Sequence, residues 1–130
     1  MREIKFRAWD KEKKIMIRVD GINFALNRYW GQEHNSHIKH DFSLEPYEFM
    51  QFTGLKDKNG KEIWEGDIVL YAYDEDEDLQ KYQVKWEAAG FWLLYLDGKY
   101  PEFEFDPFTQ DDGKDMEVIG NIYENSELLI

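Results

Sequence analysis

The 130-residue sequence contains no cysteine. Disulfides, thiolate zinc sites and cysteine nucleophiles are therefore excluded. No apolar run approaches the roughly 20 residues of a membrane-spanning helix. The N-terminal residues are basic and polar, without the apolar stretch of a secretory signal. The expected location is the cytoplasm. Catalytic signatures are missing as well. There is no Gly-x-Ser-x-Gly elbow, and Ser36, Ser43 and Ser126 lie in polar surroundings. Gly54, Gly60 and Gly66 are not followed by the Gly-Lys-Ser/Thr of a phosphate-binding loop, and no dinucleotide fingerprint is present. The 28 acids include no pair marked out for acid–base chemistry. The expectation is a non-enzyme with no catalytic residues and no cofactor.

Positive charge is also scarce, with 16 lysines and arginines against 28 acids and a net charge of −12. The shortage is uneven. Residues 1–50 hold nine basic against eight acidic side chains, and residues 51–130 hold seven against twenty. A phosphate-binding groove needs clustered Lys and Arg, so the C-terminal part is a poor candidate for nucleic acid. Its excess acid serves solubility and would favour a basic partner.

What is present is aromatic and β-prone: 17% of residues are Phe, Trp or Tyr. The length suits one domain that buries about two-thirds of its unfolded surface. Ile4, Phe6 and Ala8 alternate with Lys5, Arg7 and Trp9, and after a polar turn at 10–13, Ile15, Ile17 and Val19 alternate with Met16 and Arg18. Period two on both arms predicts a hairpin with one apolar face. Its other face carries Lys5, Arg7, Trp9 and Arg18, where cations and an aromatic ring interleave, and these four form the candidate binding surface. Asp20-Gly21 is expected to end the hairpin, and the polar residues 31–43 read as a loop.

The stretch from Gln51 to Val69 is expected to connect two regions. Gly54 should break a strand, Asn59-Gly60 should form a turn, and Glu65-Gly66-Asp67 should turn again with a positive φ at Gly66. Beyond it, short strands follow at 67–73, 81–86, 91–96, 100–105 and 116–119, with 91–96 read as a fully buried central strand. Five strands at this spacing fit a small barrel or a sandwich. His34, His37 and His40, three apart beside Glu33 and Asp41, have ligand chemistry but no helical pattern to gather them. The acids Asp74, Asp76 and Asp78 fail the calcium-loop pattern, because Leu79 and Lys85 stand where a glycine and a glutamate are required. No metal site is expected from either group.

The residues GLKDKNGKEIWEGDIV, from Gly54 to Val69, resemble the YopX family of phage and prophage proteins. So do Arg2–Asp10 at the start and VIGNIYEN from Val118 to Asn125. Trp64 stands where the family commonly has tyrosine, and Ser126 where proline is common. The resemblance covers nearly the whole chain. It implies a small cytoplasmic protein of mobile-element origin, with an SH3-like barrel in its C-terminal part and no family catalytic residues. The combined expectation is a mostly β (α+β) protein. Residues 1–65 form a β-rich region with a polar loop, and 66–130 the SH3-like barrel region. The expected function is non-catalytic binding of a host or phage protein, with a homo-oligomer left open and no membrane. The alternative is nucleic-acid association through Lys5, Arg7, Trp9 and Arg18, which the acidic remainder of the chain disfavours.

Overall fold

The computed structural model describes residues 3–33, 39–43, 47–72, 78–87, 90–96, 103–105 and 113–129. The chain is mostly β and divides into two compact units, one of Ile4–Gln51 and the other containing Phe52–Ile130.

In the N-terminal unit, β1 (Phe6–Asp10) and β2 (Ile15–Asn23) form the hairpin that the alternation predicts. Ala8 lies opposite Ile17 and Trp9 opposite Met16. The turn is held by the Asp10 carboxylate, which accepts the Glu12 and Lys13 N–H groups at 2.9 and 3.1 Å. The strand order is β4-β3-β2-β1-β5, with β3 at Arg28–Glu33, β4 at Lys39–Ser43 and β5 at Glu48–Lys56. Ala8, Ile17 and Tyr29 form the core, flanked by Ile15, Val19, Ile22, Tyr47 and Phe49.

Two expectations fail in this unit. Asp20-Gly21 does not end β2, because the strand passes through a bulge between Val19 and Gly21 and continues to Asn23. Residues 31–33 and 39–43 are strand, paired as Gly31 with His40 and Gln32 with Lys39. Their polar composition reflects a ladder held by backbone hydrogen bonds, which hydrophobic periodicity does not report.

β5 runs on into the C-terminal unit, where its second half pairs with β6 (Glu62–Trp64). Gly54 sits inside β5 and not at its end. The register shifts between Phe52 and Lys56, and the Thr53 hydroxyl covers the irregularity. It donates to the Ile63 carbonyl at 2.7 Å and accepts the Leu55 N–H at 3.1 Å. The remaining strands are β7 (Asp67–Tyr71), β8 (Gln80–Glu87), β9 (Gly90–Tyr95), β10 (Phe103–Phe105) and β11 (Glu117–Asn121). They form an antiparallel sheet in the order β10-β9-β8-β7-β11. No pairing closes this sheet among the described residues. A 3-10 turn at Ser126–Leu129 follows, and the Lys81 ammonium donates to the Leu128 carbonyl at 2.9 Å.

β9 is not buried on both faces: Phe91 and Leu93 are enclosed while Trp92 and Leu94 are partly exposed. An unbroken apolar run cannot reveal which alternate residues a second layer covers. The core of this unit is Leu55, Ile63, Val69, Tyr82, Val84, Phe91, Leu93 and Met116.

Asp57, itself buried, anchors the turn after β5. One carboxylate oxygen accepts the Asn59 and Lys61 N–H groups, both at 2.9 Å. The other accepts the Val118 N–H at 2.9 Å, tying the turn to β11. Burial alone would raise the pKa of this group. The three backbone donors, with the Lys61 charge, outweigh burial and hold it below the usual carboxylate value.

A depressed folded pKa stabilises the protein above the unfolded value of about 3.9. That stability disappears as pH falls through the folded pKa. Asp57→Ala should cost about 3 kcal/mol at pH 7, the scale of charged hydrogen bonds lost with buried donors stranded. Urea melts from pH 7 to pH 2 should show a shallower acid slope for the variant. Gly66 makes the second prediction. Its φ is +88°, its N–H donates to the Val84 carbonyl at 2.8 Å, and its carbonyl accepts the Ile122 N–H at 3.0 Å. Gly66→Val should cost about 1–3 kcal/mol in strain. Asp78→Asn on the exposed surface should change stability by about 0.5 kcal/mol or less. Equal melting temperatures for the two variants would contradict this account of the turn.

Candidate functional site

The bulge in β2 shapes the N-terminal unit's surface. Before it, Val19 faces Gly31, and after it Gly21 faces Trp30 and Ile22 faces Tyr29. The extra residue is Asp20. The shift keeps Val19 and Ile22 both against the Ala8–Ile17–Tyr29 core, although they are an odd number of residues apart. On the opposite face the Trp30 indole lies over Gly21, where a Cβ would run into the ring. A glycine covered by a cross-strand aromatic protects an otherwise bare stretch of strand.

Beside the bulge is an open depression of about 260 Å³, lined by Ile4, Lys5, Phe6, Val19, Asp20, Gly21, Ile22 and Phe24. Its rim is apolar and exposed, with Ile4 at 74% and Phe24 at 76%. Leu26, in the same turn as Phe24, is 69% exposed. That turn is ordered: the Asn23 side chain accepts the Leu26 N–H at 3.1 Å, and Asn27 closes it at φ +55°. Exposure here is thus built into a defined turn. Small-molecule pockets usually measure about 300–1,000 Å³, so the depression suits one or two side chains better than a cofactor.

Of the four residues singled out from sequence, the pairing puts Arg7, Trp9 and Arg18 on one face of the hairpin, and Lys5 precedes β1. Arg7 lies opposite Arg18 and Trp9 two residues along the same strand, opposite Met16. Their circumstances differ. Trp9 is only 7% exposed, which leaves no open ring for a base to stack on. Arg18 donates from Nε to an Asp20 oxygen at 3.2 Å, and Gln32 donates to the other oxygen at 3.3 Å. Arg7 is half-buried, and Lys5 lines the depression.

Sequence reasoning missed a second interleaving of cation and ring. Lys85 lies opposite Trp92 across β8 and β9, with Lys81 and Gln83 on the same face of β8. The alternation of Tyr82, Val84 and Trp86 implied that face, but the partner strand's register was not readable. His34, His37, Asp74, Asp76, Asp111 and Asp112 lie outside the described residues, and of His40 only the backbone is described. Among the described residues no group of three or more His, Asp or Glu could hold a metal ion. No helix of the described residues is long and apolar enough to cross a membrane.

Comparison with known proteins places this geometry in context. A family model described as YopX protein matches residues 5–130. Among solved structures, the chain is similar to protein EF1440 from Enterococcus faecalis, with 28% identity and a TM-score of 0.65, over 100% of both chains. It is also similar to protein yopX from Bacillus subtilis, with 21% identity and a TM-score of 0.59, over 100% of this chain and 98% of the other. No curated protein sequence matches.

Tyr29 lies at the centre of this unit's core, with its ring edge-on to Tyr47 at 5.2 Å and Phe49 at 5.0 Å. Burial first, then Tyr47 and Asp10, raise its hydroxyl pKa far above the ordinary value. A raised folded pKa means stability that is fully present below the unfolded value of about 10 and lost as pH rises above it. Tyr29→Phe should change stability by about 1 kcal/mol or less at pH 8, where the enclosed hydroxyl is neutral. The stability of the variant relative to the parent should rise above pH 10. Denaturant midpoints from pH 8 to pH 11 measure this, and a constant gap would contradict the assignment.

Proposed function

The chain belongs to the YopX family, and on that premise we propose that it is a non-catalytic protein-binding module. One observation carries the reading. Ile4, Phe24, Leu26 and Trp30, four large apolar side chains, stand exposed on the N-terminal unit. Two of them, Ile4 and Phe24, line the depression. Surface apolar groups gathered at a concave site mark association surfaces more often than scattered ones do. The structured turn that presents Phe24 and Leu26 supports this, since a rigid anchor loses little entropy on docking. We read the C-terminal unit as an SH3-like barrel that serves as support. Its five antiparallel strands and the family resemblance favour that reading. The partner is a host or phage protein met in the bacterial cytoplasm, consistent with the mobile-element origin that the resemblance implies.

Nucleic-acid association through the hairpin is the second reading, and the direct opposition of Arg7 and Arg18 is what favours it. Burial of Trp9 and the net charge of −12 weigh against it.

The test is capture by the tagged full chain from bacterial lysate over a concentration series. The binding-module reading expects a saturable partner at micromolar concentrations, weakened at least tenfold by the double variant Phe24→Ser, Leu26→Ser. Failure to saturate any protein would overturn it. Binding of oligonucleotides at low salt that falls steeply as salt rises would establish the second reading instead.

A further inference from the structure

We propose that Asn59-Gly60 is a site of spontaneous covalent modification, where the Asn59 carboxamide converts to aspartate and isoaspartate at a rate set by opening of the Asp57 turn. The reaction needs no partner, so it stands apart from the binding-module reading.

The chemistry is intramolecular. The Gly60 backbone nitrogen, once its proton has gone to hydroxide, attacks the Asn59 side-chain carbonyl carbon. A C–N bond forms, the side-chain amide leaves as ammonia, and a cyclic succinimide remains. Water then opens the ring at one of its two carbonyls. Opening at the side-chain carbonyl gives aspartate. Opening at the main-chain carbonyl gives isoaspartate, whose backbone runs through the side chain and is one methylene longer.

The local structure singles out this bond. Of the six asparagines in the chain, only Asn59 precedes glycine. Both residues are exposed, and a Cβ on Gly60 would meet nothing within 4 Å. The attacking nitrogen is therefore unhindered, and the ring has room to form. Among the described residues only the Asn59 backbone N–H is held, by Asp57 at 2.9 Å, which leaves the carboxamide unrestrained.

The closed turn opposes the reaction. The Gly60 N–H donates to the Asp57 carbonyl at 3.0 Å, so the nucleophile is occupied. One Asp57 carboxylate oxygen clamps the segment by accepting the Asn59 and Lys61 N–H groups on either side of Gly60. Chemistry confined to a transiently opened state follows the population of that state when reclosing is fast. The two products differ in consequence. Aspartate at this position keeps the backbone intact, with Lys58 and Lys61 close by in sequence. Isoaspartate lengthens the path between the two clamped N–H groups and so slackens the tie from Asp57 to Val118.

The test incubates the full chain beside the synthetic peptide acetyl-Lys-Asp-Lys-Asn-Gly-Lys-Glu-amide, which copies residues 56–62. Both are held at pH 8, below the melting temperature of the chain. Mass spectrometry of proteolytic fragments should find conversion at Asn59 ahead of every other asparagine, and at least tenfold slower than in the peptide. The same factor should appear as hydrogen-exchange protection of the Gly60 amide, because one opening controls both. Asp57→Asn should remove most of the delay. If that variant unfolds, the parent in urea below its transition replaces it, and the delay should shrink in step with Gly60 protection. In the purified isoaspartyl form, exchange at the Val118 amide should quicken at least tenfold, whereas Asn59→Asp should leave it unchanged. Earlier conversion at another asparagine, equal rates in chain and peptide, or an Asn59 intact for longer than Gly60 protection allows would each overturn the proposal. So would a delay that does not follow Gly60 protection, or Val118 exchange that Asn59→Asp alters as much as isoaspartate does.

Discussion

One carboxylate carries much of the order in the C-terminal unit. Asp57 accepts N–H groups from its own turn and from Val118, 61 residues further along the chain. A turn and a distant strand are thereby fixed by a single ion. The neighbouring contacts depend on that register. The Lys58 N–H donates to the Met116 carbonyl at 3.0 Å, and Gly113 packs so close to the Lys56 carbonyl that a side chain there would collide with it. Met116 is in turn part of the core with Leu55 and Ile63. The exposed Lys58–Glu117 pair at 3.5 Å spans the same two segments and adds little, because solvent screens it. The buried acceptor, and not the visible salt bridge, holds these segments together.

A comparable substitution of side chain for ladder recurs where strands become irregular. Thr53 bridges the register shift in β5 with its hydroxyl. Asn121 does the same after β11: its carbonyl oxygen accepts the Tyr123 and Glu124 N–H groups at 3.0 and 2.8 Å, and its amide donates to Glu124 at 2.9 Å. Asn125 answers by accepting the Asn121 N–H at 3.1 Å. Short polar residues at these places keep backbone groups satisfied where regular pairing lapses. Asn121 and Asn125 lie within a stretch that carries the family resemblance and Thr53 immediately precedes another, which gives those motifs a physical purpose.

Much of this was legible in the sequence, and the rest was hidden for identifiable reasons. Alternation along Ile4–Val19 gave the first hairpin because one of its faces is buried. The Glu65-Gly66-Asp67 turn was readable because glycine there answers a backbone need. β3 and β4 were not readable, since Gly31, Gln32, Lys39 and His40 owe their conformation to ladder bonds and carry little apolar signal. The bulges at Asp20 and Gly54 look like strand ends from the sequence, because a glycine that permits continuation reads the same as one that terminates. The candidate surface was half legible. Shared parity puts Arg7, Trp9 and Arg18 on one face, but Lys5 precedes β1, and burial of Trp9 depends on packing that parity does not report. The depression lies where β2 runs on past its pairing with β1, a comparison between strands that no single stretch contains.

The Asp57 turn also has a consequence during synthesis. A ribosome releases Asp57, Asn59 and Lys61 well before Val118 exists, so for that interval the carboxylate has only its local donors. At about 5–20 residues per second, the interval lasts several seconds. The loop that must then close spans 61 residues, and closing it loses entropy before the contact is gained. The core that holds Leu55 and Ile63 is therefore completed only when Met116 and β11 arrive.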